Sequence, residues 1–185
     1  MHESIKDFLR DNKDLLIKND LKQVYENALN SPYWDSKVRD LTGILLDVGI
    51  DPLDYCGNET FEWCFNELNL NNTKYVLNGL LILPDKIEII NTGTFDCSIG
   101  YRGIDLRGIK EIRKVSFRNT PVQTLIFDDI INFNNISITS FYDTNIKMVV
   151  LPKSNAKKRI EEFKNSKVFL KSDSFKNTVF ETYTP

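Results

Sequence analysis

The chain has 185 residues, of which 41% are hydrophobic, and its 24 Lys and Arg residues nearly balance 26 Asp and Glu residues, for a net charge of −2 at pH 7. This length fits one domain, with at most a small appended lobe, and the composition excludes a disordered or collagen-like chain. No run of about 18 apolar residues occurs, so we expect no transmembrane helix and no membrane partner.

The charge is unevenly distributed along the chain. Residues 1–70 carry 7 basic and 14 acidic side chains, a balance of −7, whereas residues 71–185 carry 17 basic and 12 acidic side chains, a balance of +5. The two parts therefore have opposite signs, which predicts two lobes that attract each other.

Residues that would support catalysis are few. His2 is the only histidine and lies at the terminus, so general-base chemistry by histidine has no candidate in the body of the chain. The sequence has no phosphate-binding glycine loop and no G-x-S-x-G motif. Cys56, Cys64 and Cys97 form no C-x-x-C pair, which favours free thiols over a disulfide or a zinc site. We therefore expect no enzyme, no cofactor and no metal. Because the polar N-terminus lacks a signal peptide, we expect the protein in the cytoplasm.

Helical spacings of apolar residues characterise residues 1–72, which we predict to be an N-terminal helical lobe. The pattern indicates four helices, at about residues 4–17, 20–29, 36–48 and 61–68. Each of these helices is too short to be stable alone, so their apolar faces must pack against the rest of the chain.

Residues 73–185 repeat one unit, which consists of a short strand, a turn with one or two aliphatic residues, and a phenylalanine. The strand segments are residues 80–84, 103–107, 124–128 and 148–152. The phenylalanines are Phe95, Phe117, Phe141 and Phe163, which are spaced by 22, 24 and 22 residues. A short polar step ending in Ser or Thr follows each phenylalanine, and a fifth, incomplete unit follows through Phe175.

A single unit of this kind cannot bury its apolar side. Stacked units would pair their strands about 4.7 Å apart and align the phenylalanines in one column through a shared core. Truncating one such ring to alanine should cost about 3–5 kcal/mol. The predicted fold is therefore α+β: a helical cap followed by a short solenoid with a parallel sheet.

The repeat resembles the bacterial surface-antigen class of leucine-rich repeats, also called family 5. In that class a strand ends with an apolar residue and proline, as at Leu83-Pro84 and Leu151-Pro152, and the unit closes with a phenylalanine. The sequence departs from the pattern where Arg107 and Asp128 replace the proline, and where four residues replace the alanine before the phenylalanine: Thr94, Ser116, Ser140 and Glu162. The third unit also carries an insertion at residues 132–135. The resemblance implies a protein-binding solenoid.

A second, shorter resemblance concerns the residues between the helices and the repeats. The segment from Asp47 to Tyr55 is similar to the helical leader that precedes such repeats in small phage and prophage proteins. This resemblance implies a phage or mobile-element origin, and hence action inside a bacterial host.

Alternation along the strand segments separates inward from outward side chains. Three of the four residues in one outward column are aliphatic, which is unusual for an exposed face and predicts a partner-binding surface. The predicted partner-binding residues are Leu80, Ile82, Asp105, Thr124, Ile126, Met148 and Val150. Two alternatives stay open: the helical lobe or the C-terminal tail, with Val179, Phe180 and Tyr183, covers this stripe, or the stripe pairs two copies as a homodimer.

Basic side chains recur in adjacent units and form a second candidate surface. The residues of this basic face are Arg102, Arg107, Lys110, Arg113 and Lys114. A nucleic-acid binder is the alternative that this face suggests, but the chain is acidic overall, so a protein partner is the preferred hypothesis. We expect a phage-encoded, non-enzymatic binding protein that engages a host or viral protein, with inhibition of a host defence protein as one such role. The remaining alternative is a structural or virion component that self-associates through the apolar stripe.

Overall fold

The structure, a computed structural model, describes residue 11, residues 18–71 and residues 73–185. Two helices lie at the start of residues 18–71. Helix α1 is Lys18–Leu29 and helix α2 is Trp34–Asp47. They confirm the second and third predicted helices. The first predicted helix lies, except for residue 11, outside the described residues.

The two helices pack together and onto the segment that follows them. Tyr25 of α1 is buried, and its hydroxyl lies 2.6 Å from the Oγ1 atom of Thr42 in α2. The Tyr25 ring stacks on Phe61, with centroids 4.6 Å apart. Gly49, at φ 77°, ends the connection after α2, because glycine adopts a left-handed backbone without a steric penalty.

The fourth predicted helix, at residues 61–68, is wrong. This segment consists of turns, and Trp63 and Glu67 both have a φ of 57°, which an α-helix does not permit. Isolated parallel bridges join the flanking residues to a later part of the chain, Glu59 to Ile89 and Asn69 to Ile99. Residues 59–69 therefore pair like a repeat unit rather than coil into a helix.

Eight short strands follow in the described part of the chain. They are β1 (Val76–Leu77), β2 (Leu80–Ile82), β3 (Ile89–Ile90), β4 (Gly103–Asp105), β5 (Glu111–Ile112), β6 (Thr124–Ile126), β7 (Met148–Pro152) and β8 (Val179–Tyr183). Six of them form one sheet in the order β1-β2-β4-β6-β7-β8, in which only the β1–β2 pair is antiparallel. The described residues are thus α+β, with four α-helices and a mostly parallel mixed sheet.

The register of the main sheet confirms the alignment that the sequence predicts for four strands. Leu81 pairs with Ile104, Ile104 with Leu125, and Leu125 with Val149. All four side chains are fully buried. The inner face of the sheet is therefore lined by one aliphatic column from β2 to β7.

A second, smaller sheet lies along the same direction. β3 and β5 pair in parallel, and a further bridge continues the row from Ile112 to Ile136. Ile90, Ile112 and Ile136 are buried. Successive units thus pair at two places, once in each sheet.

Phenylalanine rings form a stacked column in the interior. Phe65 stacks on Phe95 and Phe95 on Phe117, with centroids 5.2 Å apart in both cases. Phe117 stacks on Phe141 at 5.4 Å, and the planes of neighbouring rings differ by at most 6°. The spacing is close to the distance of about 4.8 Å between paired strands, so one ring fits each strand interval.

The polar step after each phenylalanine has a structural role. The hydroxyl three residues later is buried and donates a hydrogen bond to the carbonyl oxygen of the phenylalanine. These bonds are Ser98 to Phe95 (2.7 Å), Thr120 to Phe117 (2.9 Å), Thr144 to Phe141 (2.6 Å) and Ser166 to Phe163 (2.6 Å). At Phe95, Phe141 and Phe163 the backbone amide of the same Ser or Thr also donates to the carbonyl, so the hydroxyl adds a second hydrogen bond to the turn.

The C-terminal part departs from the repeat, and the prediction that Phe163 continues the ring column is wrong. Phe163 lies in helix α3 (Ala156–Lys164), where it contacts Phe133 and Phe169 edge-on. Phe175 instead contacts Phe141, with centroids 5.8 Å apart and planes at 81°. The ring column therefore ends in an edge-to-face contact.

The incomplete fifth unit consists of a short helix and the last strand. Ser166 is the N-cap of helix α4 (Lys167–Lys171), and its hydroxyl accepts a hydrogen bond from the Phe169 amide at 3.4 Å. β8 then pairs in parallel with β7 over five residues. No helix in the described residues is long and apolar enough to cross a bilayer.

Candidate partner-binding surface

The outward face of the main sheet brings the predicted binding residues together, because four parallel strands hold them in register. One outward column contains Leu80, Gly103, Thr124 and Met148. The next contains Ile82, Asp105, Ile126 and Val150. The edge strands widen both columns: Leu77 pairs with Leu80, Val179 with Met148, and Glu181 with Val150.

Apolar side chains on this face remain accessible to solvent. Ile82 is 37% exposed, Leu77 is 62% exposed and Val179 is 54% exposed. Between them, Ile126 and Val150 are half-buried. The exposed apolar groups therefore extend from one edge of the sheet to the other.

Gly103 has a packing role within the first column. A Cβ atom at this position would lie 2.9 Å from the Cδ1 atom of Leu80 and 3.7 Å from Thr124. The missing side chain leaves room for Leu80 to lie against the neighbouring strand. A flat apolar patch results where a larger residue would create a ridge.

Asp105 interrupts the apolar column, but its carboxylate is already engaged. Arg107 donates four hydrogen bonds to it: from its backbone amide to Oδ1 at 3.2 Å, from Nε to Oδ1 at 2.8 Å and to Oδ2 at 3.1 Å, and from Nη2 to Oδ2 at 2.5 Å. Asp105 is only 6% exposed. Hydrogen bonding to Asp105 raises the pKa of the Arg107 guanidinium, which also lies over the Tyr183 ring, 5.9 Å from its centroid. The pair forms a polar border at the carboxyl ends of the strands.

The amino ends of the strands carry a different border. Backbone hydrogen bonds of 2.8 Å place Gln123 beside Arg102 and Lys147 beside Gln123. The side chains of Arg102 and Lys147 are exposed, and neither forms an ion pair within the described chain. This border is therefore positively charged, while the opposite one is neutralised by internal pairing.

The structure also bears on what covers the face. α1 and α2 pack on residues 59–69, which are the first unit of the stack, through Tyr25 on Phe61 and through an ion pair between Arg39 and Glu67. The C-terminal tail lies beside β7 as β8, so it widens the face instead of covering it.

The predicted basic face is not brought together as one charged surface. Arg107 pairs with Asp105, and Lys110 lies 2.7 Å from Glu88. Arg113 lies 3.0 Å from Glu111.

The remaining two members of the basic face, Arg102 and Lys114, are exposed and form no ion pair with the described residues. They lie apart, since Arg102 precedes β4 of the main sheet and Lys114 follows β5 of the smaller one. Internal carboxylates thus neutralise most of this face.

Sequence reasoning missed Leu77, which is more exposed than Val179 and Ile82 on the outward face. Its strand β1 turns into β2 through Asn78 and Gly79, at φ 52° and 77°. An Asn-Gly pair between apolar residues is the strongest short hairpin signal in a sequence, so this signal could have located β1 and Leu77.

Comparisons of the chain with protein-family models, with curated proteins and with solved structures find no match.

Proposed function

We propose that the protein is a short leucine-rich-repeat-type solenoid without enzymatic activity, which binds a protein partner through the outward face of its main sheet. The observation that supports this most strongly is the exposure of Leu77, Ile82 and Val179 on one continuous face. Contiguous apolar surface of this kind on a soluble protein marks contact sites.

The dimensions of the face suit one structural element of a partner. Six strands spaced by about 4.8 Å span about 24 Å, and two outward columns lie about 7 Å apart. A helix or a hairpin of a partner protein fits such a strip. The positive border at Arg102 and Lys147 then favours a partner with carboxylates on the matching side.

The proposal includes action inside a bacterial host by a phage-encoded protein, with a host or phage protein as the partner and a host defence protein as one candidate. Its support is the resemblance of residues 47–55 to phage leader segments and of the repeat unit to surface-antigen leucine-rich repeats.

The test compares two matched aspartate substitutions. Ile126→Asp places a charge in the centre of the outward face, whereas Ile138→Asp places one at a 44% exposed isoleucine outside it. In pull-downs from host lysate, we expect wild type and Ile138→Asp to recover the same protein and Ile126→Asp to lose it. Thermal unfolding of both variants checks that the fold is intact. Identical recovery by all three proteins would contradict the proposal.

The same variants separate a different partner from a second copy of the chain. Light scattering should show a monomer at every concentration if the face binds another protein. A dimer that Ile126→Asp abolishes and Ile138→Asp preserves would instead show that the face serves self-association.

A further inference from the structure

β8 forms one edge of the main sheet and has an unpaired side. The amide of Val179 donates to the carbonyl of Lys147 at 2.9 Å, and the parallel register continues from there to Tyr183. Because hydrogen bonding alternates along a parallel strand, Val179 and Glu181 direct their backbone groups toward β7. Phe180 and Thr182 consequently direct their N–H and C=O groups away from the sheet.

This edge lacks most of the features by which proteins protect exposed strands, and Glu181 is its one charged side chain. Natural edges are shortened, bulged, or blocked by proline and lysine. β8 extends over five residues, Val179–Tyr183, and contains neither proline nor lysine. The opposite edge differs, since β1 has two residues and closes into a hairpin with β2. Only β8 therefore offers a strand-length row of free backbone groups at an edge of the described sheet.

The surroundings of β8 are apolar and positively charged. Phe180 lies 6.3 Å from Phe169, and the Nζ atom of Lys164 lies 5.1 Å from the centroid of the Phe180 ring. Lys167 and Lys171 lie on α4, the helix that also carries Phe169. These three lysines are exposed, and none of them forms an ion pair with a described residue. A strand added at this edge would therefore meet positive charge on the side of Phe180 and Lys164, and the Glu181 carboxylate on the outward side.

We propose that β8 accepts a seventh strand, which is an extended segment of a partner polypeptide that alternates carboxylate and apolar side chains. Backbone hydrogen bonds to Phe180 and Thr182 supply the pairing, as in other cases of strand addition. The lysines at 164, 167 and 171 select carboxylates. A second copy of the chain fits the edge less well, because it would bring the same three lysines to the junction and like charges repel.

The experiment measures binding of a fluorescein-labelled synthetic octapeptide of alternating glutamate and valine to the full chain by fluorescence anisotropy. We expect saturable binding at concentrations below about 1 mM. Methylating every second amide nitrogen of the peptide should weaken binding at least about tenfold, since it removes the hydrogen bonds that add the strand. A peptide with lysine in place of glutamate should not bind.

Two variants of Thr182 test the backbone requirement on the protein side. Thr182→Pro removes the outward amide but leaves the hydrogen bonds between β8 and β7 in place, so we expect about a tenfold loss of affinity. Thr182→Val keeps the amide and should bind within about twofold of wild type. Hydrogen exchange of the Phe180 and Thr182 amides adds a second readout: both should become protected only when the peptide is present.

The opposite results would overturn the proposal. These are an absence of saturable binding, binding that neither amide methylation nor Thr182→Pro weakens, or a dimer in light scattering that Thr182→Pro abolishes. Ile126→Asp should leave peptide binding unchanged, because Ile126 lies on β6, which β7 separates from the edge strand β8. Failure of the edge proposal and failure of the proposed function are thereby distinguishable.

Discussion

The middle of the molecule and its C-terminal end fill the same interior in two different ways. In the middle, the rings from Phe65 to Phe141 stack almost parallel at intervals of 5.2–5.4 Å. At the end, Phe163 and Phe175 meet their neighbours at angles between 67° and 86°, apart from the tilted contacts of Phe163 with Phe127 and of Phe175 with Phe169.

The difference follows from what lies beyond each ring. A ring in the middle has another unit on both sides, so parallel stacking at the strand interval is available to it. In the described residues no further unit stacks on the rings of the end group, and edge-to-face contacts among rings from α3, α4 and β8 pack this end of the core. A repeat can thus be copied from unit to unit, but its termination requires a different arrangement.

The largest loss of stability is expected from substitutions in the continuous stack of rings. Phe117→Ala should lower the free energy of unfolding by about 3–5 kcal/mol, because the buried ring touches a neighbour on both faces and its loss leaves a cavity. Phe169→Ala, at a half-buried ring of the end group, should cost about 1–2 kcal/mol. Urea unfolding followed by circular dichroism measures both. Equal costs would mean that the two regions do not differ in packing.

A smaller effect is expected at the contact between the first two units. At Gly93, with φ 64°, an added Cβ atom would lie 2.2 Å from the Trp63 ring, so Gly93→Ala should destabilise by about 1–3 kcal/mol. Gly43 is the matched control, since it lies in α2 with no atom within 4 Å of an added Cβ. Gly43→Ala should stabilise by about 0.5–1 kcal/mol. Thermal unfolding with opposite shifts of Tm for the two variants would support the close approach of the units.

The hydroxyl groups after the phenylalanines allow a further comparison. Thr120→Val removes the hydrogen bond to the Phe117 carbonyl while keeping the shape of the side chain, and should cost about 1 kcal/mol. Ser166→Ala removes the bond to the Phe163 carbonyl and also the cap of α4, and should cost about 1–2 kcal/mol. A smaller loss for Ser166→Ala than for Thr120→Val in urea unfolding would contradict the two roles given to Ser166.

The last prediction concerns the rate at which the cysteines are alkylated in the folded protein. Cys64 is fully buried, and burial raises the pKa of its thiol well above the usual range. Burial and the nearby Asp96 carboxylate also raise the pKa of the half-buried Cys97 thiol. Since the thiolate is the reactive form, iodoacetamide at pH 8 should modify only Cys97 in the folded protein, and more slowly than free cysteine. Mass spectrometry should show three modified cysteines only after unfolding in urea, whereas modification of Cys64 in the folded protein would show an open first unit.

Much of the sheet could be predicted from the sequence, because alternation and repeat length together determine the register of parallel strands. Phe65 was missed because Phe61, Cys64, Phe65 and Leu68 have helical spacing. Leu68 also stands where later units have the Ser or Thr that marks the turn.

The wrong prediction for Phe163 has the opposite cause, since this residue has the motif of a repeat unit but lies in a helix. It keeps both the spacing of 22 residues and the following Ser166, but the residues before it are strong helix formers and fold as α3. Its motif alone therefore could not distinguish a further unit from a helix.

The candidate surface was predictable to a similar extent. Alternation identifies its columns, but the edge strands that widen it depend on pairing between distant residues. Part of the neutralisation follows the repeat, because Lys110 pairs with Glu88 and Arg118 with Asp96, each 22 positions earlier. Arg107 and Arg113 instead pair with acidic residues two positions earlier. Charge counting along the chain does not show such pairs, whereas alignment of the units would.

The most direct test of the stacked units is an NMR measurement of contacts between phenylalanine rings in the isotopically labelled full chain. We expect nuclear Overhauser cross-peaks from the Phe117 ring to both Phe95 and Phe141, and from the Phe163 ring to Phe133 and Phe169. A Phe117 ring without cross-peaks to one of its two neighbours would contradict the stacking of the units.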